Sequence, residues 1–134
     1  MELSDPANRR RTVYARVSRL KLDDLLLQFD YPDANVHAEA RSETTTAIQK
    51  LFVLNSPFLL GRARALGGRL AAEAAGGGEE RLRRAYRLLF CREPEAEEIR
   101  LALEFLGRPD PAGMSRWEEY AHVLLASNEM LYLD

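Results

Sequence analysis

Three consecutive threonines, Thr44, Thr45 and Thr46, stand three residues after Arg41 and run into Gln49 and an apolar stretch. Hydroxyls in front of a helix, beside the free N–H groups of its first turn, can hold an anion or a sugar hydroxyl. A guanidinium such as that of Arg41 binds carboxylate or sulfate through two parallel hydrogen bonds. With Asp30 from the upstream FDYPDAN segment, Arg41 and Thr45 make the ligand-binding set that residue types alone suggest. The same stretch has a structural use. Thr46 and Gln49 have the T-x-x-Q spacing of a capping box, in which each side chain satisfies the other residue's backbone N–H.

Other candidates carry less chemistry. Asp30, Asp33 and Asn35 offer oxygens in a turn, but without the spacing and terminal Glu of an EF-hand, and Asp and Asn are ordinary turn formers. His37 and His122 are the only histidines and have no H-x-x-x-H partner, while Cys91 is the only cysteine and sits beside Arg92 without a nucleophile signature. No disulfide, CxxC or zinc-finger pattern is available, and the expectation is no metal, no cofactor and no catalytic residue. Asn55 and Asn128 fall at apolar faces, where a buried amide must find partners, so both are expected to be structural and to bond loop backbone.

The 134 residues suffice for one domain with its own core. A net charge of −2 indicates neither a polyanion-binding protein nor an acidic tail. The N-terminal 22 residues are an exception. Arg9, Arg10, Arg11, Arg16, Arg19 and Lys21 oppose only Glu2 and Asp5, a local +4, which suggests an exposed basic edge. Sparse aromatics there disfavour nucleic acid as its partner. No apolar run reaches the ~18 residues of a membrane span and no export signal is visible, so the chain as given reads as soluble.

The elements that would position these residues are mainly helical. Thr12–Leu20 reads as an extended segment, Leu22–Asp30 as a short helix, and residues 31–43 as a loop rich in turn formers. A helix then opens at the Thr46 cap, with Ile48, Leu51 and Phe52 on its inner face. Ser56 as N-cap and Pro57 as first residue start the next, striped by Leu59, Ala63, Leu66 and Leu70. Gly76–Gly78 break it, and Glu79 and Glu80 open a third helix with Leu82, Ala85, Tyr86 and Leu89 inward. A fourth follows the turn at Cys91–Pro94, with Ile99, Ala102, Leu103 and Leu106 inward. Ser115 and Glu118 form an S-x-x-E box opening a last helix, whose inner side would carry Trp117, Ala121, Leu124, Asn128 and Leu131. The fold class is all-α: an irregular N-terminal extended segment and loop (1–43), then a compact array of about four to five helices (44–134), in one domain.

NRRRTVYARVSR, FDYPDAN, R-x-x-TTT-x-x-QKLFVLNSPF, AYRLLF-x-R-x-P-x-x-E-E and LLASNEMLYLD occur in this order, and together they resemble the planctomycete PSD1 (DUF1553) domain. The full family domain is longer, so the resemblance implies the C-terminal portion of that domain and apolar surface left bare, with self-association as one consequence. Where the family has Pro after the threonines this chain has Ala47, which agrees with Thr46 as the cap. Where the family has Gly after AYRLLF this chain has Cys91, which argues against a left-handed helix end there, since a Cβ in that conformation costs about 1 kcal/mol.

The resemblance implies a large multi-domain bacterial protein with DUF1549-like or cytochrome-c-like neighbours, and hence an extracytoplasmic setting. The functional expectation is a non-catalytic helical docking or interaction module. The alternative is part of an enzyme or polysaccharide-binding site, with Arg41, Thr45 and Asp30 lining a cleft that an upstream domain completes.

Overall fold

The computed structural model describes residues 5, 10–33, 35–37, 39–40, 44–74 and 76–132. Its elements are a 3-10 turn at Thr12–Tyr14 and the helices α1 (Asp24–Gln28), α2 (Ala47–Asn55), α3 (Pro57–Glu73), α4 (Gly78–Phe90), α5 (Ala96–Leu106), α6 (Arg116–Leu125) and α7 (Asn128–Leu131). The class is all-α among the described residues. Five of the helices have nine or more residues. The chain divides into two compact units, Met1–Phe58 and Leu59–Asp134. The division therefore falls after α2, whereas the residue pattern put the change of character at 43/44.

The helix starts follow local chemistry. The Thr46 hydroxyl accepts from the Gln49 N–H at 3.2 Å and the Gln49 side chain accepts from the Thr46 N–H at 3.0 Å. Ser115 and Glu118 make the same reciprocal pair at α6, at 3.2 and 2.9 Å. A third box, not anticipated, joins Glu95 and Glu98 at α5. Each box satisfies two of the four N–H groups a helix start leaves unpaired. Ser56 occupies the extended-backbone junction between α2 and α3 and is buried.

In the first unit, the expected extended segment begins as the 3-10 turn and then runs irregularly to Asp23, whose carboxylate caps α1 through the Leu25 N–H at 3.0 Å. The core is small: Leu26 and Val53 are buried, and Phe29 meets Phe52 edge-on with ring centroids 5.5 Å apart. The inner face predicted for α2 is corrected here. Val53 is the buried residue, while Ile48 and Leu51 are 67% and 58% exposed and Leu54 shares their side of the helix.

The second unit holds the larger core, in which Leu70, Leu82, Ala85, Tyr86, Ala102, Tyr120 and Leu124 form one buried cluster from α3, α4, α5 and α6. Leu66, Leu89, Ile99, Phe105, Leu106 and Trp117 pack around it. Two expectations change. Leu103 is exposed and Phe105 takes the inward place on α5, its ring against Tyr120 at 6.1 Å. The last helix is broken at Ser127, whose hydroxyl donates to the Leu124 carbonyl at 2.8 Å and accepts from the Met130 N–H at 3.3 Å, so that α7 starts afresh. Gly67 supplies a close approach that the leucine stripe did not reveal: a Cβ there would lie 3.2 Å from Glu118 Cγ.

Candidate functional site

The threonine stretch is built into a hydrogen-bonded knot within the first unit. Asp30 has a left-handed backbone (φ 56°), a conformation that Asp tolerates better than most residues because its short side chain can bond locally. Its carboxylate accepts from the Thr44 N–H at 2.8 Å and from the Thr44 hydroxyl at 2.8 and 2.9 Å. Gln49 donates to the Gln28 carbonyl at 3.0 Å and to the Thr44 hydroxyl at 3.2 Å, and Gln28 donates to the Ile48 carbonyl at 2.8 Å. The end of α1 is thus tied to the start of α2, and the intervening loop is closed at its base.

Of the suggested ligand set, Asp30 is engaged in that tie, Thr45 is exposed between two threonines that serve structure, and Arg41 lies outside the described residues. Asp30→Ala should cost about 1–2 kcal/mol, because the Thr44 N–H and hydroxyl both lose a charged acceptor while a left-handed Ala adds strain. Faster hydrogen exchange at the Thr44 amide than in the unaltered chain is the check.

Asp33 also serves local structure, its carboxylate accepting from the Asn35 N–H at 2.8 Å, while the Asn35 amide donates to the Arg19 carbonyl at 3.0 Å. The expected buried amides are corrected. Asn55 is exposed and donates to the Leu51 carbonyl of its own helix at 3.0 Å, and Asn128 is exposed because α7 starts at it. His37 is exposed in the loop and His122 is half-buried on α6. Among the described residues no group of three or more His, Cys, Asp or Glu is arranged to hold a metal, and no helix is long and apolar enough to cross a membrane.

The densest polar constellation was not anticipated, and it centres on Arg92. Its guanidinium donates to both carboxylate oxygens of Glu98 at 2.8 Å and to those of Glu129 at 2.7 and 2.9 Å. The remaining N–H reaches the Glu93 carbonyl at 3.1 Å, so all five donors of the fork are used. The same group lies over the rings of Tyr86 and Phe90, 5.1 and 5.7 Å from their centroids. Beneath it lie Tyr86 and Tyr120, both buried in the bundle core. The guanidinium therefore joins the turn after α4 to α5 and α7.

Arg92 pulls the Glu98 carboxyl down from 4.5 to about 2, aided by the Glu95 N–H, and holds Glu129 below the usual carboxylate range. Burial pushes the hydroxyls of Tyr86 and Tyr120 up. Glu98 has two duties, since one of its oxygens also accepts from the Glu95 N–H at 2.7 Å to cap α5. The available signal was the R-x-P-x-x-E-E stretch, in which Arg92 and Glu98 are the pair that a four-residue turn brings together. The guanidinium donors and the two carboxylates are taken up by one another, and the arrangement clamps α5 and α7 to the turn after α4.

Placing Arg92 over α4 requires the chain to reverse at Cys91, and this corrects the expectation for that position. Cys91 does adopt the left-handed conformation, with φ 57° and ψ 25°. The steric cost of its Cβ is about 1 kcal/mol, and the clamp that begins one residue later offsets it. Because Cys91 is exposed, Cys91→Gly should stabilise the chain by about 1 kcal/mol and raise the melting midpoint by roughly 3–5 °C. A thermal melt under reducing conditions measures it.

No curated protein and no solved structure matches the chain. A family model described as PSD1, protein of unknown function (DUF1553), matches residues 2–106. The span takes in the threonine knot and Arg92 with Glu98, and stops at the end of α5, short of Glu129 and Tyr120. With most of its length inside that match, the chain belongs to the PSD1 (DUF1553) family.

Proposed function

We propose that this chain is a non-catalytic docking module that packs on a neighbouring domain of a larger, extracytoplasmic bacterial protein. The observation that carries this reading is the outer face of α2, where Ile48, Leu51 and Leu54 stand 67%, 58% and 54% exposed within one third of the helix circumference. Leu27, 58% exposed on α1, adds apolar surface in the same unit. Aliphatic side chains gathered on one helix face gain about 25 cal/mol for each Å² that a partner covers. A contiguous patch of them marks a contact surface more often than single scattered residues do.

The polar cluster of the first unit supports the same reading. The Asp30–Thr44 tie uses its donors and acceptors to hold the end of α1 to the start of α2, which stiffens the unit that carries this face. The polysaccharide or enzyme-site alternative requires Arg41, Thr45 and Asp30 to turn toward a ligand. The Asp30 carboxylate would then have to leave Thr44.

The test is an NMR titration of this chain with the adjoining domains of its parent protein, added in trans. Association should perturb Ile48, Leu51 and Leu54 most, and Ile48→Glu with Leu51→Glu should abolish it while the melt stays within about 2 °C of the unaltered chain. Failure of every adjoining domain to bind would reject the proposal. Perturbation centred on Thr45 by a polysaccharide would replace it.

A further inference from the structure

Arg81, at the start of α4, is half-buried, and its guanidinium makes no hydrogen bond or ion pair with any described residue. Its Nε is enclosed by protein without an acceptor, while its two terminal nitrogens are not enclosed. One face of the group lies over the indole of Trp117 on α6, 5.2 Å from the ring centroid. Trp117 in turn is set edge-on against the core ring of Tyr120, with centroids 6.3 Å apart. Other arginines of the second unit differ: Arg69, Arg83, Arg84, Arg87, Arg92 and Arg100 each pair with a glutamate. The acidic residues that open α4 and α6 are engaged elsewhere. Glu79 bonds Arg83, Glu118 accepts from the Ser115 N–H, Glu119 bonds Arg116, and the Glu80 carboxylate lies against Gly76.

We infer that Arg81 and Trp117 form a receptor for the carboxylate of an acidic side chain on a protein partner. A half-buried guanidinium without a counter-charge is costly to keep, and an incoming carboxylate removes that cost. Stacking on the indole fixes the plane of the guanidinium, so its open terminal nitrogens make a planar fork. A carboxylate fills such a fork with two parallel hydrogen bonds. The indole decides the class of anion. Trp117 is only half-buried, and the methylenes of a glutamate or aspartate cover more of its ring, whereas inorganic phosphate brings no apolar surface to it. These residues are separate from the α2 face, so the two proposals stand or fall independently.

Trp117 is the only tryptophan of the chain, so its emission reports on the site directly. The experiment is a fluorescence titration of the full chain with N-acetylglutamate N-methylamide, its glutamine analogue, sodium acetate and inorganic phosphate. The glutamate compound should change the emission saturably at millimolar concentration, and the glutamine compound should not. Acetate and phosphate should bind severalfold more weakly, for want of the methylenes. Arg81→Gln should abolish the response. Arg81→Lys keeps a cation over the ring but loses one of the two hydrogen bonds, and should weaken binding on the order of tenfold. Without ligand, Arg81→Lys should melt within about 2 °C of the parent, because no hydrogen bond of the fold is removed. The proposal is overturned by the absence of a saturable response to the glutamate compound, or by an equal response to the glutamine compound. Phosphate binding as tightly as the glutamate compound would reduce the site to a generic anion contact and overturn it too. Unchanged binding in either variant has the same consequence, and a large melting loss in Arg81→Lys would assign Arg81 to the fold instead.

Discussion

Arg92→Ala should lower the stability of the helical bundle by about 3 kcal/mol and its melting midpoint by roughly 10–15 °C. The substitution strands Glu98 and Glu129 beside one another and removes the guanidinium from the faces of Tyr86 and Phe90. Partial exposure of the arginine side chain, 35%, places the effect at the low end of the range for breaking a buried pair. Arg92→Lys should recover little, because a single ammonium cannot make two bidentate contacts at once.

The clamp also predicts an acid dependence. The folded-state pKa of Glu98 lies below its ordinary value, so its contribution is present above about 4.5 and is lost as pH falls toward about 2. In a series of denaturant melts across that window the unaltered chain should lose stability with falling pH. Arg92→Ala should lose less, because the main cause of the depression is gone. Equal slopes for the two proteins would show that the pair does not hold the bundle.

Leu82→Ala should cost about 3–5 kcal/mol, whereas Leu51→Ala should stay within about 0.5 kcal/mol of the parent. The residues are chemically identical and both lie on helices, yet Leu82 is 0% exposed at the centre of the α3–α6 cluster and Leu51 is 58% exposed. Removing three carbons from a filled interior forfeits their transfer energy and leaves a cavity. On an open face it forfeits little. Chemical denaturation of the two variants side by side measures the contrast. A large loss at Leu51 would mean that α2 uses its outer face for folding, and would remove the main support for docking.

That contrast also marks where the sequence was legible. The helix starts at Thr46, Pro57 and Ser115 were readable because capping acts over three residues and needs no knowledge of the remaining chain. The apolar stripes of α3 and α4 were readable for a similar reason: helical periodicity places Ala63, Leu70, Leu82, Ala85 and Tyr86 on single faces, and those faces are buried. Periodicity says which residues share a face without saying which face is covered. The inward residue of α2 therefore proved to be Val53 rather than Ile48 or Leu51.

The candidate site divided along the same line. Thr46 and Gln49 act locally, and their roles followed from spacing. Asp30 with Thr44 spans fourteen residues and Arg92 with Glu129 spans thirty-seven, so neither pairing has a local signature. Cys91 shows the reverse dependence. Local sterics disfavour a left-handed cysteine, but tertiary structure imposes one because Arg92 must reach two carboxylates on α5 and α7.

By itself, then, the sequence determined the all-α class, most helix starts, the stripes of the bundle core and the family, because each rests on interactions between residues a few positions apart or on motifs in a given order. Only the tertiary structure decided which apolar face is bare, which polar groups are consumed in holding helices together, and where the backbone accepts strain. Those outcomes depend on which distant surfaces meet, and the free energy of covering a surface or pairing a charge is set by what arrives there.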